Sequence, residues 1–407
     1  MFKLRILTTA LVLTLILVAG TALAGAKLQI SDDAYIDLGY RLQAYWQNTD
    51  VNLDDDTDGY ESFQEFKLRR ARFRLKGVIN SKVSVFMQTD VSGKNMQMID
   101  AFITYKPGSP WFQFVMGRNM APSSRQALTS SGALMALDRP LQVGNALNWG
   151  AGGAAPSNGN GPIPSTPDRV RDNGLTLFGS SAVGENSLKY YLGLYNGVQS
   201  GSEDKYHMAA RAQFNLWDAE AGYYNSSTYL GKKKTLGIGL SYDAQEEVGS
   251  VAGAAPGDPD ILADYSMMAF DLFLELPNSK GNALTAEFGY NAPDYDGVDD
   301  MKMYSGSGYY GQVGYYLASG FQPWFLYESF GSDMDALTDD GNNPSEIVGK
   351  TPGDYTSYRF GVTYYIAGQH ANIKLAYESR KSDVPVAVGN TYEDTKNTIT
   401  LGFFTTY

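Results

Sequence analysis

The densest chemistry in this 407-residue chain is a run of cations, Lys67-Leu68-Arg69-Arg70-Ala71-Arg72-Phe73-Arg74-Leu75-Lys76. Read with the period of two of a β-strand, Arg70, Arg72, Arg74 and Lys76 share one face, and Ala71, Phe73, Leu75 and Gly77 share the other. Upstream the parity reverses, with Phe66 and Leu68 set against Lys67 and Arg69. One extra residue near Arg69-Arg70 restores the apolar face, which predicts a β-bulge there. Arg41 and Arg359 occupy the polar parity of two other alternating stretches. A column of guanidinium groups along a narrow water-filled space concentrates anions by field focusing. Charge balance with Asp37, Asp90, Asp100 and Glu328 is the competing reading.

Other constellations carry less. Asp54-x-Asp56-x-Asp58-Gly59-x5-Glu65 has the spacing of a calcium loop, in which several oxygens converge on a hard cation. Its eighth position is Glu61 rather than an aliphatic residue, and its flanks read as strands, so a solvated acidic loop is the stronger reading. Calcium at Asp54, Asp56, Asp58 and Glu65 is the one cofactor the sequence suggests; otherwise none is expected. The chain has no Cys and two His, and neither His207 nor His370 has a serine and a carboxylate at a spacing that suggests a nucleophile and its base. No enzyme is expected.

The elements that must carry the cations follow from composition. Lys and Arg number 32 against 44 Asp and Glu, a net charge of −12, which argues against a nucleic-acid partner. Lys3 and Arg5 precede an apolar stretch, Ile6 to Ala19, and Ala22-Leu23-Ala24 resembles a cleavage site. Residues 1–24 are therefore expected to be a removed signal peptide, and 25–407 one exported domain. No later apolar run reaches the roughly 20 residues of a membrane helix.

What recurs instead is alternation, in strands of about ten residues with one apolar face. Ile36, Leu38, Tyr40, Leu42, Ala44 and Trp46 alternate with polar neighbours, as do Val83 to Val91, Ile99 to Tyr105 and Tyr358 to Ile366. Aromatic residues collect at strand ends (Tyr105, Trp111, Trp217, Tyr309, Tyr315), as membrane-interface girdles require. The expectation is an all-β transmembrane antiparallel β-barrel of sixteen strands, with eighteen as the alternative. Short connections at 80–81, 107–110, 182–186, 277–281, 319–320 and 368–371 alternate with long acidic ones. The segment 217–234 is the exception, a long connection where a tight turn is due. Ile399, Leu401, Phe403 and Tyr407 form one face of a closing strand that ends on an aromatic residue.

Three segments together, Leu68–Gly77, Ile99–Pro107 and Phe114–Pro140, resemble the phosphate-selective porin O and P family. The resemblance implies a sixteen-stranded outer-membrane channel assembled as a homotrimer, its third extracellular loop folded inward. That loop would be 121–171, carrying Arg125, Arg139, Arg169 and Arg171, with Arg118 just before it. Passive diffusion of small hydrophilic solutes is the implied function, with outer-membrane lipid, lipopolysaccharide and small anions as partners. Phosphate preference, a general pore, and a structural or adhesive barrel without current all remain open at this point.

Overall fold

A computed structural model describes residues 26–407, apart from 54–59, 94, 141–169, 198–204, 252–260, 297–304, 337, 339–350, 352 and 389–390. The expected signal peptide, Asp54, Asp56 and Asp58 of the calcium motif, and the stretch 141–169 of the expected inward loop therefore lie outside the described residues.

The alternating stretches form strands. They are β1 (Ala26–Gln29), β2 (Tyr35–Leu53), β3 (Tyr60–Val78), β4 (Val83–Asp90), β5 (Gln97–Tyr105), β6 (Gln113–Met120), β7 (Arg171–Val183) and β8 (Asn186–Tyr195). They continue as β9 (His207–Trp217), β10 (Thr235–Val251), β11 (Ile261–Pro277), β12 (Ala283–Asp296) and β13 (Gly306–Tyr316). The last four are β14 (Phe321–Ser332), β15 (Tyr355–Tyr365), β16 (Ala371–Val388) and β17 (Thr391–Thr406). Strands β2 to β17 pair antiparallel in chain order, and β17 returns to β2, so sixteen strands close a ring. Closure removes the open edges that a flat sheet would leave unpaired. Residues 223–229 form no strand, so the eighteen-strand alternative falls.

The seam is tightly specified. The last β17–β2 pair is Thr406 with Arg41, after which the Tyr407 N–H donates to the Tyr40 carbonyl at 2.8 Å. The two tyrosine rings meet at 4.9 Å. A Cβ at Gly39 would stand 2.4 Å from the Tyr407 carbonyl oxygen, so a glycine is needed where the chain end docks. Below that point β1 takes over the place beside β2, pairing Ala26–Gln29 with Tyr35–Leu38.

The wall is inside out relative to a water-soluble domain. Phe73, Met116, Leu240 and Met268 face outward and exposed, while Arg70, Lys189, Glu287 and Lys374 face inward and buried. The expected bulge is present: Gln43 pairs with Arg70 and Ala44 with Leu68, leaving Arg69 as the extra residue. Turns at 79–82, 106–112, 184–185, 278–282, 317–320 and 366–370 lie at one end of the barrel, the short-turn end. The connection 218–234 lies at that end too.

Candidate pore and its lining

The basic strand does place its charges on the inner wall, but much of the column is answered by acids. Arg69 Nε and Arg70 Nη2 hold the two oxygens of Asp138 at 2.6 and 2.9 Å, and Arg72 Nε reaches Asp90 at 2.6 Å. Lys67 pairs with Glu65 at 2.9 Å, both well exposed; this engages the one residue of the calcium motif that is described. Arg74 and Lys76 make no hydrogen bond or ion pair among the described residues. Arg41 finds hydroxyls rather than an acid, donating to Ser131 Oγ at 2.5 Å and Thr406 Oγ1 at 3.4 Å. Around Arg41, Arg74 and Lys76 the one nearby inward carboxylate side chain among the described residues is Asp37, the cross-strand neighbour of Lys76, which acts on Arg74 through space without an ion pair.

Residues 121–140 leave the end of β6 and pack against these inward side chains. A single helical turn, α1 (Arg125–Leu128), begins under Ser124, whose Oγ accepts from the Ala127 N–H at 3.1 Å. The chain then crosses to β2, where Gln43 donates to the Ser131 carbonyl at 2.9 Å, and on to β15 and β16. There the Lys374 ammonium donates to the carbonyls of Leu134 at 2.6 Å, Met135 at 3.4 Å and Ala136 at 2.8 Å. An ammonium offers three donors and no acceptor, so three converging carbonyls saturate it. The Asp138 carboxyl, which burial alone would push up, is held well below the usual carboxylate range by Arg69 and Arg70. Arg139 turns back on its own segment, donating to the carbonyls of Gln126 at 3.0 Å and of Thr129. Arg359 binds Glu328, lies 3.6 Å from Glu378 and donates to the Arg139 carbonyl at 2.9 Å.

A second segment enters from the opposite mouth. Residues 218–234 fold into the barrel rather than across its end, and Asn225 forms a β-bridge with Thr129. The Asn225 N–H donates to the Leu128 carbonyl at 3.0 Å, and the Ser130 N–H to the Asn225 carbonyl at 3.0 Å. Arg125 meets Glu220 in a two-pronged pair at 2.7 Å on each prong. Tyr223 Oη donates to the Met120 carbonyl at 2.6 Å, and the Glu275 carboxylate accepts the N–H groups of Tyr229 and Gly231, both at 2.7 Å. Gln312 donates to Ser227 Oγ at 3.1 Å. The two segments are therefore tied to each other and to the wall. Sequence reasoning missed this; the available signal was an eighteen-residue connection with a lone Glu220 where a tight turn belongs.

The inner wall divides electrostatically. Around β9 to β13, Glu220, Glu287 and Asp271 face Arg125, Arg211 and Lys189, and the charges are internally matched. Around β2, β3, β15 and β16 the cations predominate. Three further placements differ from a pore-lining role. Arg118 pairs across to Ala101 and Asn173 on the outward face, so it does not line the lumen. Arg171 binds Asp100 at 2.7 Å, a wall contact. Glu378, on the same face of β16 as Lys374 and Arg380, lies 3.6 Å from Arg359 Nε, while Lys374 is engaged with the loop carbonyls. His207 sits buried between Asp172 and Asp243, and His370 Nδ1 lies 2.9 Å from the Thr406 carbonyl.

Comparison with known proteins agrees with this architecture. Residues 38–228 match the family described as phosphate-selective porin O and P. An anion-selective porin from Comamonas acidovorans superposes with a TM-score of 0.57 at 11% identity, covering 92% of this chain and 100% of that one. OprB of Pseudomonas putida gives 0.55 at 11% identity over 91% of this chain and 94% of that one. Salmonella typhi OmpF, solved with daunomycin, gives 0.52 at 13% identity over 94% of this chain and 100% of that one. OmpT of Vibrio cholerae in its trimer form gives 0.50 at 11% identity, covering 92% of this chain and 100% of that one. No curated protein sequence matches the chain.

Proposed function

We propose that this chain, whose residues 38–228 match the phosphate-selective porin O and P family, is an outer-membrane channel through which small hydrophilic solutes diffuse, with a preference for anions. The chemistry is passive, and solutes move down their gradient through water held inside the barrel. A channel, rather than an enzyme, is what the family and the closed barrel point to. Export by removal of residues 1–24 and assembly as a homotrimer complete the reading. The second is supported by the trimer form of the Vibrio cholerae barrel of similar fold.

The observation that carries the anion preference is the set Arg41, Arg74 and Lys76, three inward-facing cations that form no ion pair among the described residues and have only Asp37 as a nearby carboxylate. A fixed charge in a narrow, low-dielectric space acts on passing ions far more strongly than the same charge in bulk water. The in-folded segments 121–140 and 218–234 narrow the path and set the size limit, pressing solutes toward the basic wall. Phosphate offers pairs of oxygens that the planar fork of a guanidinium group binds two at a time.

The test is reversal potential in a planar bilayer under a KCl gradient, repeated with phosphate added. Chloride preference with phosphate block at low concentration supports the reading. A potential near zero, or cation preference, reduces the basic column to charge balance and leaves a general pore. Absence of any conductance step would remove the channel reading itself.

A further inference from the structure

The in-folded connection 218–234 returns to the short-turn rim as three consecutive lysines, Lys232-Lys233-Lys234, just before β10 begins. Lys233 turns back on its own segment and donates to the Ala219 carbonyl. Lys234 falls on the outward parity that Leu236, Ile238 and Leu240 continue along β10, and Lys232 is exposed two residues earlier. The Asp218 N–H donates to the Lys234 carbonyl at 2.9 Å, so this stretch still runs beside the end of β9. A Cβ at Gly231 would stand 3.9 Å from the Gly281 carbonyl oxygen. The turn 278–282 therefore lies alongside and brings the exposed Lys280 to the same arc of the rim. Lys232, Lys234 and Lys280 form no ion pair among the described residues, and Asp218, the acid of this arc, accepts the Lys234 N–H at 2.8 Å.

Trp217 completes the patch. As the last residue of β9 it pairs with Thr235, which is buried inside the barrel, so strand parity would send its ring inward. Its φ is +66°, a left-handed conformation unusual for a bulky residue, and the ring is exposed instead, with the Lys234 ammonium 4.4 Å from its centroid. Farther along the wall the outward side chains are Leu236, Leu274 and Leu284. From mid-wall to rim the order is aliphatic, aromatic, cationic, which matches acyl chain, interface and phosphate in a lipid leaflet. The long-loop rim of the same wall has the opposite sign: Asp264 and Asp296 are cross-strand neighbours there, with Asp294 on the same face and Glu246 exposed nearby.

Resting on the outer-membrane reading above, we propose that Lys232, Lys234, Lys280 and the Trp217 ring form a site for the phosphate headgroup of an anionic phospholipid, in the leaflet that meets the short turns. An ammonium group has three donors and no acceptor, and phosphodiester oxygens only accept, so the two are complementary. A zwitterionic lipid brings its own cation to a rim that is already cationic, so the site discriminates by headgroup charge. The indole covers the glycerol region between the lysines and the leucines.

The chain has no cysteine, so single-cysteine variants label cleanly. L284C lies on the outward wall just beyond the turn that carries Lys280, and I366C at a turn that carries no lysine. Each is labelled with a fluorophore and reconstituted into phosphatidylcholine vesicles containing graded amounts of either brominated phosphatidylglycerol or brominated phosphatidylcholine. At L284C, half-maximal quenching should come at about fivefold less of the brominated phosphatidylglycerol, the preference that one lysine supplies beside an anionic lipid. At I366C the two curves should coincide. The triple variant K232Q/K234Q/K280Q should bring the L284C curves together while the barrel keeps its strand signal. Coincident curves at L284C in the native protein overturn the lipid site and leave the membrane barrel standing. Equal preference at both probes also overturns it, since attraction would then belong to the whole molecule. A preference that survives in the triple variant removes the lysines from the site. Quenching at neither probe would instead remove the outer-membrane reading on which the site rests.

Discussion

Arg125 and Glu220 lie 95 residues apart in the sequence and close on each other inside the barrel, both side chains fully buried. One comes from the segment that enters at the long-loop end, the other from the segment that enters at the short-turn end. Their pair is two-pronged at 2.7 Å, with Glu287 a further 3.7 Å from Arg125 Nε and the Phe273 ring 3.8 Å from the guanidinium carbon. The two inward segments are thus fastened together by the strongest kind of side-chain contact a protein offers.

Breaking that clasp should widen the pore. In R125M, Glu220 is left buried with Lys189 nearby but no fork to hold it, a loss of about 3–5 kcal/mol for an orphaned buried charge. Single-channel recording should show a higher and noisier unit conductance than the native protein. E220Q should be milder, since its amide oxygen still accepts one guanidinium bond. Conductance unchanged in R125M would mean that neither segment limits flow.

The clasp also predicts a pH response with a definite sign. Burial pushes the Glu220 carboxyl up, but Arg125 prevails and holds it down to about 2. An unfolded glutamate titrates near pH ~4.3. The stabilisation is therefore complete above that value, declines as pH falls below it and is gone once pH passes through about 2. Conductance should match between pH 7 and pH 4 and rise only as pH approaches 2. A rise between pH 6 and 5, measured in the same bilayer series, would show that another group governs the opening.

Selectivity should follow the unpaired cations rather than the whole column. R74M removes a charge that forms no ion pair and feels Asp37 only through space, so it should shift the reversal potential toward cations with little change in conductance. R70M instead halves the support of Asp138, so it should disturb the loop and change conductance as well. Equal shifts from the two variants would argue that the paired arginines contribute their full field to the path.

The fold was legible because period-two alternation is a local property. Tyr40, Leu42 and Ala44 announce a lipid face without reference to any distant residue, and the reversal of parity at Arg69-Arg70 alone locates the bulge. The lining was less legible because its partners come from segments without period. Nothing local to Asp138 says that it will sit between Arg69 and Arg70, and nothing local to Lys374 points to Leu134. Arg118 was misread for the opposite reason. It stands next to a loop in the sequence, but strand parity carries it to the outer face, and parity counts from the register rather than from the loop.

Lys374 offers a separate test of the loop, independent of the Arg125 clasp. Methionine has nearly the same length and shape but donates nothing, so K374M leaves the carbonyls of Leu134 and Ala136 without their donor. Each unmet buried acceptor costs about 1–3 kcal/mol. Thr363 still holds the Met135 carbonyl at 3.3 Å, and Asp138 still holds Arg69 and Arg70, so the segment should loosen between two fixed points rather than leave the lumen. The expected signature is rapid closing and opening on an otherwise native conductance, with selectivity preserved because Arg74 and Lys76 are untouched. K374R, which keeps a donor at nearly the same place, should restore a quiet current. If K374M is as quiet as the native channel, the loop is held by its arginine clamps alone and the three carbonyl contacts add nothing to its rigidity.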